Sequence, residues 1–294
     1  MRRSAAEAML VATVTLWAFN FTVSKYILDK GFHPLAYSSV RYAAAALIFF
    51  AITIAIERTV RLAREDLVLA AFAAFVLLLN QLCFIYALRF TTATTVALLF
   101  GTLPIFTALV ARGTGMERQG LRFWLAALLS FGGVALVAVG SGGKLSADLK
   151  GDALAVCGAA TWAAYSVAIA PLMRRYSPFR LSAVFLLAVT VPLFALGASQ
   201  IGDQQWSFGA LVWAGFAFAV VGPLVLTNFL WFTAIDRVGP SHASLFANLQ
   251  PFLAAIIALI VLSESITPLQ VAGGLAIAGG ILVAPRAPPQ PDAD

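Results

Sequence analysis

Residues 104–119 read PIFTALVARGTGMERQ, and residues 251–266 read PFLAAIIALIVLSESI. In both stretches a glutamate follows a proline by 13 residues, because Pro104 and Glu117 recur as Pro251 and Glu264, 147 residues later. Further pairs recur at similar offsets, namely Gly132-Gly133 with Gly279-Gly280, Asn80 with Asn228, Trp17 with Trp162, and Pro34 with Pro178. Such a long period indicates one structural unit used twice. We therefore predict two repeats, residues 1–143 and 144–294, within a single domain.

The composition is typical of an integral membrane protein. Hydrophobic residues make up 61% of the 294 residues and charged residues 11%, whereas soluble domains are roughly half apolar and about a quarter charged. A membrane-spanning helix needs about 20 mostly apolar residues. Ten segments satisfy this need, at 5–28, 34–56, 66–88, 92–112, 120–140, 151–173, 178–200, 208–234, 240–262 and 267–285. We predict an all-α membrane protein with ten transmembrane helices, here called spans 1 to 10, five in each repeat.

Because five is an odd number, the second repeat is expected to enter the membrane from the opposite side. Lys and Arg concentrate in cytoplasmic loops. With the N-terminus inside, the cytoplasmic segments hold 13 arginines, which are Arg2, Arg3, Arg58, Arg61, Arg64, Arg112, Arg118, Arg122, Arg174, Arg175, Arg180, Arg237 and Arg286. The outer segments hold Lys30, Arg89, Lys144 and Lys150. This asymmetry predicts two inverted repeats with both termini in the cytoplasm, an architecture whose halves exchange conformations around a midplane site.

Polar and aromatic side chains recur at helical spacing in both repeats. On span 1, Trp17 and Asn20 share a face at about 100° per residue. Polar groups within a bilayer face the bundle interior or a water-filled cavity. We therefore predict a central cavity with ten substrate-binding residues, which are Trp17, Asn20, Asn80, Phe84, Trp162, Tyr165, Asn228, Trp231, Ser244 and Asn248. Two alternatives stay open: the polar groups only join helices, and the tryptophans of spans 1 and 6 anchor the chain at the membrane interface.

Glycines and prolines predict where the spans bend or pack closely. Proline inside a helix removes one N–H donor and displaces the carbonyl four residues earlier, so Pro104, Gly222, Pro223 and Pro251 are predicted hinge or gating positions. The carbonyls freed by the prolines of spans 4 and 9 are alternative acceptors for a substrate ammonium group. The glycine pairs of spans 5 and 10 fit close helix packing, and these spans are a candidate homodimer face.

Two cations belong neither to the cytoplasmic nor to the outer segments, Lys25 on span 1 and Arg41 on span 2. Each is a candidate partner for a substrate carboxylate. Lys25 lies one turn from the end of its span, and the alternative is that its side chain extends to the outer membrane interface.

None of the 13 acidic residues lies near the centre of a predicted span. Ion-coupled carriers commonly use intramembrane carboxylates, so we expect transport without ion coupling. The sequence also shows no acidic pair for Mg²⁺, no histidine cluster for zinc and no nucleophile elbow. We therefore expect no enzyme, no metal, no cofactor and no nucleic-acid partner. The expected partners are a small-molecule substrate and the lipid bilayer.

Two five-helix repeats, each with a proline-containing helix, a glutamate 13 residues after that proline and a glycine-rich last helix, resemble the drug/metabolite transporter superfamily and, within it, the EamA type. The start LWAFNFTVSK at 16–25 is most similar to bacterial YddG-type amino-acid exporters. The resemblance implies a basket around a cavity formed by spans 1–4 and 6–9, with spans 5 and 10 peripheral, in the bacterial inner membrane.

The leading functional hypothesis is export of amino acids, aromatic or other neutral ones, by alternating access. Amides and freed carbonyls would bind the zwitterion, and aromatic side chains would bind its apolar part. A second hypothesis is efflux of cationic or aromatic drugs through cation–π contacts, which the missing carboxylate disfavours. A third is a membrane receptor or assembly subunit that transports nothing.

Overall fold

A computed structural model describes residues 3–140, 142, 148–262 and 266–285, and within these ranges the secondary structure is entirely helical. The α-helices in chain order are α1 Arg3–Asp29, α2 Pro34–Glu57, α3 Leu67–Phe90, α4 Ala93–Phe100, α5 Leu103–Gly113, α6 Leu121–Gly140, α7 Leu149–Met173, α8 Pro178–Gly202, α9 Ala210–Val220, α10 Thr227–Val238, α11 Pro240–Ala247, α12 Gln250–Leu262 and α13 Pro268–Val283. A π-helical segment, Val221–Leu226, joins α9 to α10, and a 3-10 turn, Arg64–Asp66, precedes α3. The predicted repeat boundary at 143 and 144 and the predicted cytoplasmic ends at 1–2 and 286–294 lie outside the described residues.

These helices account for the predicted spans of a multi-pass membrane protein. In the described part of the chain, 8 stretches are long and apolar enough to cross a membrane, from Ser4–Asp29 to Ala210–Val238. They correspond to spans 1 to 8. Span 9 is divided between α11 and α12, and span 10 is α13, a shorter apolar helix of 16 residues.

Spans 4 and 9 are broken at equivalent places. α4 and α11 each contain 8 residues and begin at 93 and 240, and α5 and α12 begin at 103 and 250, so both offsets are 147. Pro104 and Pro251 therefore occupy the first turn of a new helix, where the missing N–H has no helical partner to lose. The predicted kink within one continuous helix is corrected to two consecutive helices in each span. The matching breaks confirm the two-repeat, all-α fold.

The repeats pack on each other through helix pairs that obey the same symmetry. α2 packs on α8 and α6 packs on α13, which are equivalent elements of the two repeats. α3 packs on α7, and α1 packs on α10. Since α1 is equivalent to α7 and α3 to α10, exchanging the repeats converts the contact of α3 with α7 into the contact of α10 with α1. The interface between the halves is therefore pseudo-two-fold symmetric.

Glycines bring α6 and α13 into backbone contact. A Cβ atom on Gly133 would lie 2.6 Å from the carbonyl oxygen of Gly273, and a Cβ atom on Gly273 would lie 2.5 Å from that of Gly133. Gly280 lies in the same way against the carbonyl of Ala126, so the two helices are antiparallel. These contacts occur within one chain, and dimerisation through spans 5 and 10 stays a prediction.

Loops predicted to share a side of the membrane meet in the structure. Arg180 Nη2 lies 2.6 Å from Glu57 Oε2, and Arg175 Nη1 lies 2.9 Å from Asp66 Oδ1. We call the end of the bundle that carries these four residues the arginine end; it is the end predicted to be cytoplasmic. At the opposite end, the loop after α1 is hydrogen-bonded to the loop after α8.

At the arginine end, the loop after α5 caps a helix of the other repeat. The Glu117 carboxyl lies beside Ser241 in the first turn of α11 and accepts a hydrogen bond from the Gln119 amide at 2.8 Å. Gly239 precedes α11 with φ 79°, and a Cβ atom there would lie 2.5 Å from the carboxyl, so glycine is required. Burial raises the pKa of Glu117, against the opposing effect of the hydrogen bonds. The equivalent residue, Glu264, lies outside the described residues.

We expect the stability difference between the wild type and a Glu117→Gln variant to depend on pH. Between the ordinary and the raised pKa the folded state holds a proton that the unfolded state releases, so wild-type stability falls as the pH rises through this window. Glutamine keeps a hydrogen-bond acceptor and removes the titration. Thermal unfolding in detergent from about pH 4 to about pH 8 measures the difference. A difference that stays constant over this range would show that Glu117 does not titrate as described.

Candidate functional site

A central chamber lies between the two repeats. Its volume is about 80 Å³, which holds several water molecules. Its wall is formed by Trp17, Asn20, Phe21, Arg41, Tyr42, Leu77, Asn80, Gln81, Phe84, Phe100, Leu103, Trp162, Leu186, Pro223, Leu224, Asn228 and Gln250. Trp17 and Asn80 line it together with their repeat equivalents, Trp162 and Asn228. The chamber therefore lies at the pseudo-symmetry axis.

Most of the predicted substrate-binding residues lie at or next to this chamber. The six that belong to the wall are Trp17, Asn20, Asn80, Phe84, Trp162 and Asn228. Trp231 and Tyr165 form a layer behind it, since the ring of Trp231 lies 4.8 Å from that of Trp17 and the ring of Tyr165 lies 5.4 Å from that of Trp162. Both second-layer residues are almost completely buried.

Ser244 and Asn248 lie away from the chamber, which corrects the prediction for span 9. Nδ2 of Asn248 donates to Oγ of Ser130 on α6 at 3.0 Å, and Oγ of Ser244 donates to the carbonyl of Ser241 at 2.7 Å. The prediction continued one helical face through span 9, but the helix breaks at 248–249. Gln250, the first residue of α12, reaches the chamber instead. Asn248 therefore joins two helices, the alternative left open for polar groups, and Ser244 is bonded within its own helix.

Three tryptophans form an apolar cluster at the chamber. The rings of Trp17 and Trp162 meet edge to face with centroids 5.2 Å apart, and Trp231 packs against both. Nε1 of Trp17 donates to Oγ1 of Thr227 at 3.2 Å, and Thr227 donates to the carbonyl of Pro223 at 2.5 Å. Pro223 belongs to the π-helical segment, a widening that often marks functional sites. Trp17 is thus linked through Thr227 to the predicted break in span 8. The hinge role of Gly222 and Pro223 stays a prediction.

Arg41 is buried in the chamber wall, with 3% of its surface exposed. Its guanidinium donates to Gln81 Oε1 at 3.2 Å, to the Tyr37 hydroxyl at 3.3 Å and to Asn20 Oδ1 at 3.4 Å. These acceptors are neutral, and the bonds are longer than the usual length of about 2.9–3.0 Å. The rings of Tyr37 and Tyr42 add cation–π contacts at 5.1 and 5.7 Å.

Arg41 has no counter-ion among the residues that the structure describes, since none of their ion pairs includes it. Its Nε atom is buried and has no hydrogen-bond partner there either. A buried charge without an opposite charge is costly. Arg41 therefore has the properties of a group that binds an anionic ligand.

Lys25, the other candidate cation, is not part of the chamber wall. Its Nζ atom donates to the carbonyl of Leu88 at 2.9 Å and lies 3.5 Å from Asp29 Oδ1. These partners lie at the end of α1 and at the end of α3. This placement favours the alternative interpretation, in which Lys25 extends toward the membrane interface.

The remaining polar groups of the wall are neutral, and most of them are side-chain amides. Asn80 donates to the carbonyl of Gly158 at 2.8 Å, whereas Asn228 and Gln250 form no side-chain hydrogen bond with another described residue. In the described ranges, no three His, Cys, Asp or Glu side chains lie close enough to hold a metal ion. The chamber therefore offers hydrogen bonding, one positive charge and aromatic faces.

Sequence reasoning missed Gln81 and Gln250, which are polar residues within predicted spans. Each lies next to a residue that was selected, Asn80 and Pro251, so a broader search for intramembrane amides would have found both. The sequence contains no comparable signal for apolar wall residues such as Phe100, which the fold alone brings to the site.

A second cavity, which we call the vestibule, lies beside the chamber toward the end opposite the arginine end. Its volume is about 700 Å³, and small residues of α4, α6 and α12 form much of its wall. Phe21 and Gln250 line both cavities. The ring of Phe21 packs against Phe84 at 5.6 Å and Phe100 at 5.9 Å. Phe21 and Gln250 therefore lie between the chamber and the vestibule.

Comparison with protein families supports the two-repeat description. The model of the EamA-like transporter family matches the chain twice, over residues 4–139 and 149–284. These matches confirm the resemblance seen in the sequence. A solved crystal structure superposes with a TM-score of 0.78 at 18% identity and covers 96% of this chain and 96% of that chain, so the two share a fold.

Curated relatives of the chain are described as transporters. The uncharacterized transporter YdfC of Bacillus subtilis is 25% identical over 96% of this chain and 92% of its own length. A probable terminal-alkyne amino-acid exporter of Streptantibioticus cattleyicolor is 27% identical over 96% of this chain and 94% of its own length. The threonine/homoserine exporter RhtA of Salmonella typhimurium is 30% identical over 124 residues, 42% of this chain and 41% of its own length.

Proposed function

Because the chain belongs to the EamA-like transporter family, we propose that it exports amino acids, aromatic or other neutral ones, through the central chamber. The observation that carries this proposal is the buried Arg41 guanidinium without a described counter-ion, in the same chamber as Trp17 and Trp162. A carboxylate complements the guanidinium, and an apolar side chain complements the indole faces. We place the protein in a bacterial inner membrane with both termini in the cytoplasm.

Two relatives support amino acids as the substrate class, since their names describe an amino-acid exporter and a threonine/homoserine exporter. Their identities to this chain are 27% and 30%, the second over 124 residues. These relationships support the class of solute and leave the particular amino acid to measurement.

Binding would use three kinds of contact. The carboxylate would take charge-assisted hydrogen bonds from Arg41, which are stronger than the long neutral bonds that it now makes. The ammonium group of the amino acid would donate hydrogen bonds to the amide oxygens of Asn228 and Gln250. Its side chain would pack on the indole rings of Trp17 and Trp162. The positive charge of Arg41 in the chamber wall disfavours a cationic drug.

Transport would alternate between two conformations that exchange the roles of the inverted repeats. In the described conformation, ion pairs close the arginine end and the vestibule lies on the other side of the chamber. In the other conformation, these ion pairs would separate and the chamber would open toward the cytoplasm. None of the described chamber residues is acidic, which supports movement without ion coupling.

Exchange of labelled amino acids into liposomes that hold the purified protein and unlabelled solute tests this function. We expect exchange with and without a pH gradient. We expect Trp17→Ala to weaken the apparent affinity for the amino acid roughly 10- to 150-fold, because a buried aromatic contact contributes about 1.5–3 kcal/mol. Trp213→Ala is the matched control, since Trp213 packs on Phe32, Phe208 and Phe216 outside the chamber.

If a folded Trp17→Ala variant exchanges amino acids as well as the wild type does, the chamber is not the binding site. A strict need for a pH gradient would overturn uncoupled movement. A folded wild type that exchanges no amino acid would contradict the proposed function, and failure to move any solute would favour the non-transporting hypothesis.

A further inference from the structure

The charge of the chamber wall is unbalanced between the repeats. Arg41 is the eighth residue of α2, and the eighth residue of α8, its repeat equivalent, is Phe185. Among the described residues of the wall, Arg41 is the single ionised side chain. One positive charge therefore lies in the chamber wall, and the repeat symmetry supplies no negative charge to match it.

Hydrogen bonding in the wall shows the same imbalance. Nε of Arg41 and Nε1 of Trp162 are donors that are buried without a described acceptor. The oxygens nearest the guanidinium are already occupied, because Asn20 Oδ1 accepts from Ser24 and Arg41, and Gln81 Oε1 accepts from Arg41. A ligand beside Arg41 must therefore bring acceptors, and a carboxylate brings two oxygens with about four lone-pair sites.

We propose that the chamber recognises its solute by the carboxylate and does not require an α-ammonium group. The solute class is then a small organic carboxylate with an apolar or aromatic part, which includes neutral amino acids, N-acyl amino acids and arylalkanoates. The wall has only neutral oxygens for an ammonium group, chiefly those of Asn228 and Gln250. A side-chain amide also carries N–H donors, so the same two residues can bind the carbonyl of an N-acyl group. This inference rests on the proposed function of the chamber and extends its solute class beyond amino acids.

The test compares three forms of one side chain on the wild-type protein: phenylalanine, N-acetylphenylalanine and phenylalaninamide. The same three forms of leucine cover an aliphatic side chain. At about pH 6, below the usual α-amino pKa of about 7.7–8.0, they are a zwitterion, an anion and a cation. Binding is read from tryptophan fluorescence, because Trp17 and Trp162 line the chamber, and transport is read from exchange in liposomes.

We expect the N-acetyl forms to bind and exchange about as well as the free amino acids. We expect the amides to be about 10- to 150-fold weaker, since they lose charge-assisted hydrogen bonds to Arg41. An amide that competes as well as its parent acid, or an N-acetyl form that fails where the parent acid binds, overturns this inference and leaves amino-acid export standing. N-acetyl forms that exchange while free amino acids do not would support the inference and overturn amino-acid export. If no probe binds the folded protein, both are overturned.

Discussion

An Arg41→Gln variant is expected to lose carboxylate transport while unfolding at the same or a higher temperature than the wild type. The loss of charge-assisted hydrogen bonds should weaken the apparent affinity by about 10- to 150-fold. Stability should not fall, because Arg41 is 3% exposed and lacks a described counter-ion, and its partners are long neutral hydrogen bonds and two tyrosine rings. Replacing an uncompensated buried charge by a neutral group is often stabilising. Exchange in liposomes and thermal unfolding in detergent measure the two effects on one preparation.

Two further variants test whether transport depends on the charge of Arg41, on its planar guanidinium or on its position in the chamber. Arg41→Lys keeps the charge and loses the planar guanidinium, so we expect transport between that of the wild type and that of Arg41→Gln. Lys25→Gln is the control for position, because Lys25 is satisfied by Leu88 and Asp29 outside the chamber wall, and its transport should be retained. Parallel loss of transport and stability in Arg41→Gln would assign Arg41 a structural role. Loss of transport in Lys25→Gln would assign the carboxylate contact to Lys25 and contradict the role of Arg41.

A Gly133→Ala variant is expected to unfold at a clearly lower temperature than the wild type. The added Cβ would lie 2.6 Å from the carbonyl oxygen of Gly273 and 2.8 and 2.9 Å from two atoms of Ile277, one of them backbone. Helix backbones cannot yield locally as a flexible side chain does, so α6 and α13 must separate. Overpacking of this kind costs about 1–3 kcal/mol, and the loss of neighbouring glycine contacts adds to it. Gly273→Ala should behave in the same way, since its Cβ meets the carbonyl of Gly133.

The adjacent residue supplies the matched control. A Cβ atom on Gly132 has no neighbour within 4 Å, and glycine in a helix is less stable than alanine by roughly 0.5–1 kcal/mol. Gly132→Ala should therefore match or exceed wild-type stability. Thermal unfolding of detergent-purified samples, followed by size-exclusion chromatography, compares the two variants. Equal behaviour of Gly132→Ala and Gly133→Ala would contradict the described contact between α6 and α13.

Six of the ten predicted substrate-binding residues lie in the chamber wall, because repeat symmetry and helical periodicity both point to them. Trp17 and Trp162, and Asn80 and Asn228, are repeat equivalents, and each lies on a polar or aromatic face of its span. Repeat symmetry places equivalent residues around one axis, so agreement between repeats strengthens a helical-face argument. Asn248 had no such support, since its repeat equivalent at offset 147 is Gly101.

The sequence does not decide whether Lys25 or Arg41 faces the chamber. Both are cations away from the predicted loops, and the position of Lys25 one turn from the end of its span left two interpretations open for it. The structure distinguishes them by their neighbours: Asp29 lies beside Lys25, whereas neutral oxygens from α1, α2 and α3 surround Arg41. Those neighbours are set by how the helices are rotated against each other.

The sequence by itself determined that the chain crosses a membrane many times, that it is built from two equivalent halves and which loops lie at the same end. Hydrophobicity, loop charge and repeat spacing are summed over many residues, so single exceptions do not obscure them. Only the tertiary structure decided which side chains meet in the chamber, where spans 4 and 9 break and which cation lacks a counter-ion. These features depend on contacts between residues far apart in the chain, such as Asn248 with Ser130 and Trp17 with Thr227. The periodicity of one helix shows which of its residues share a face, but it does not show which residues of another helix they contact.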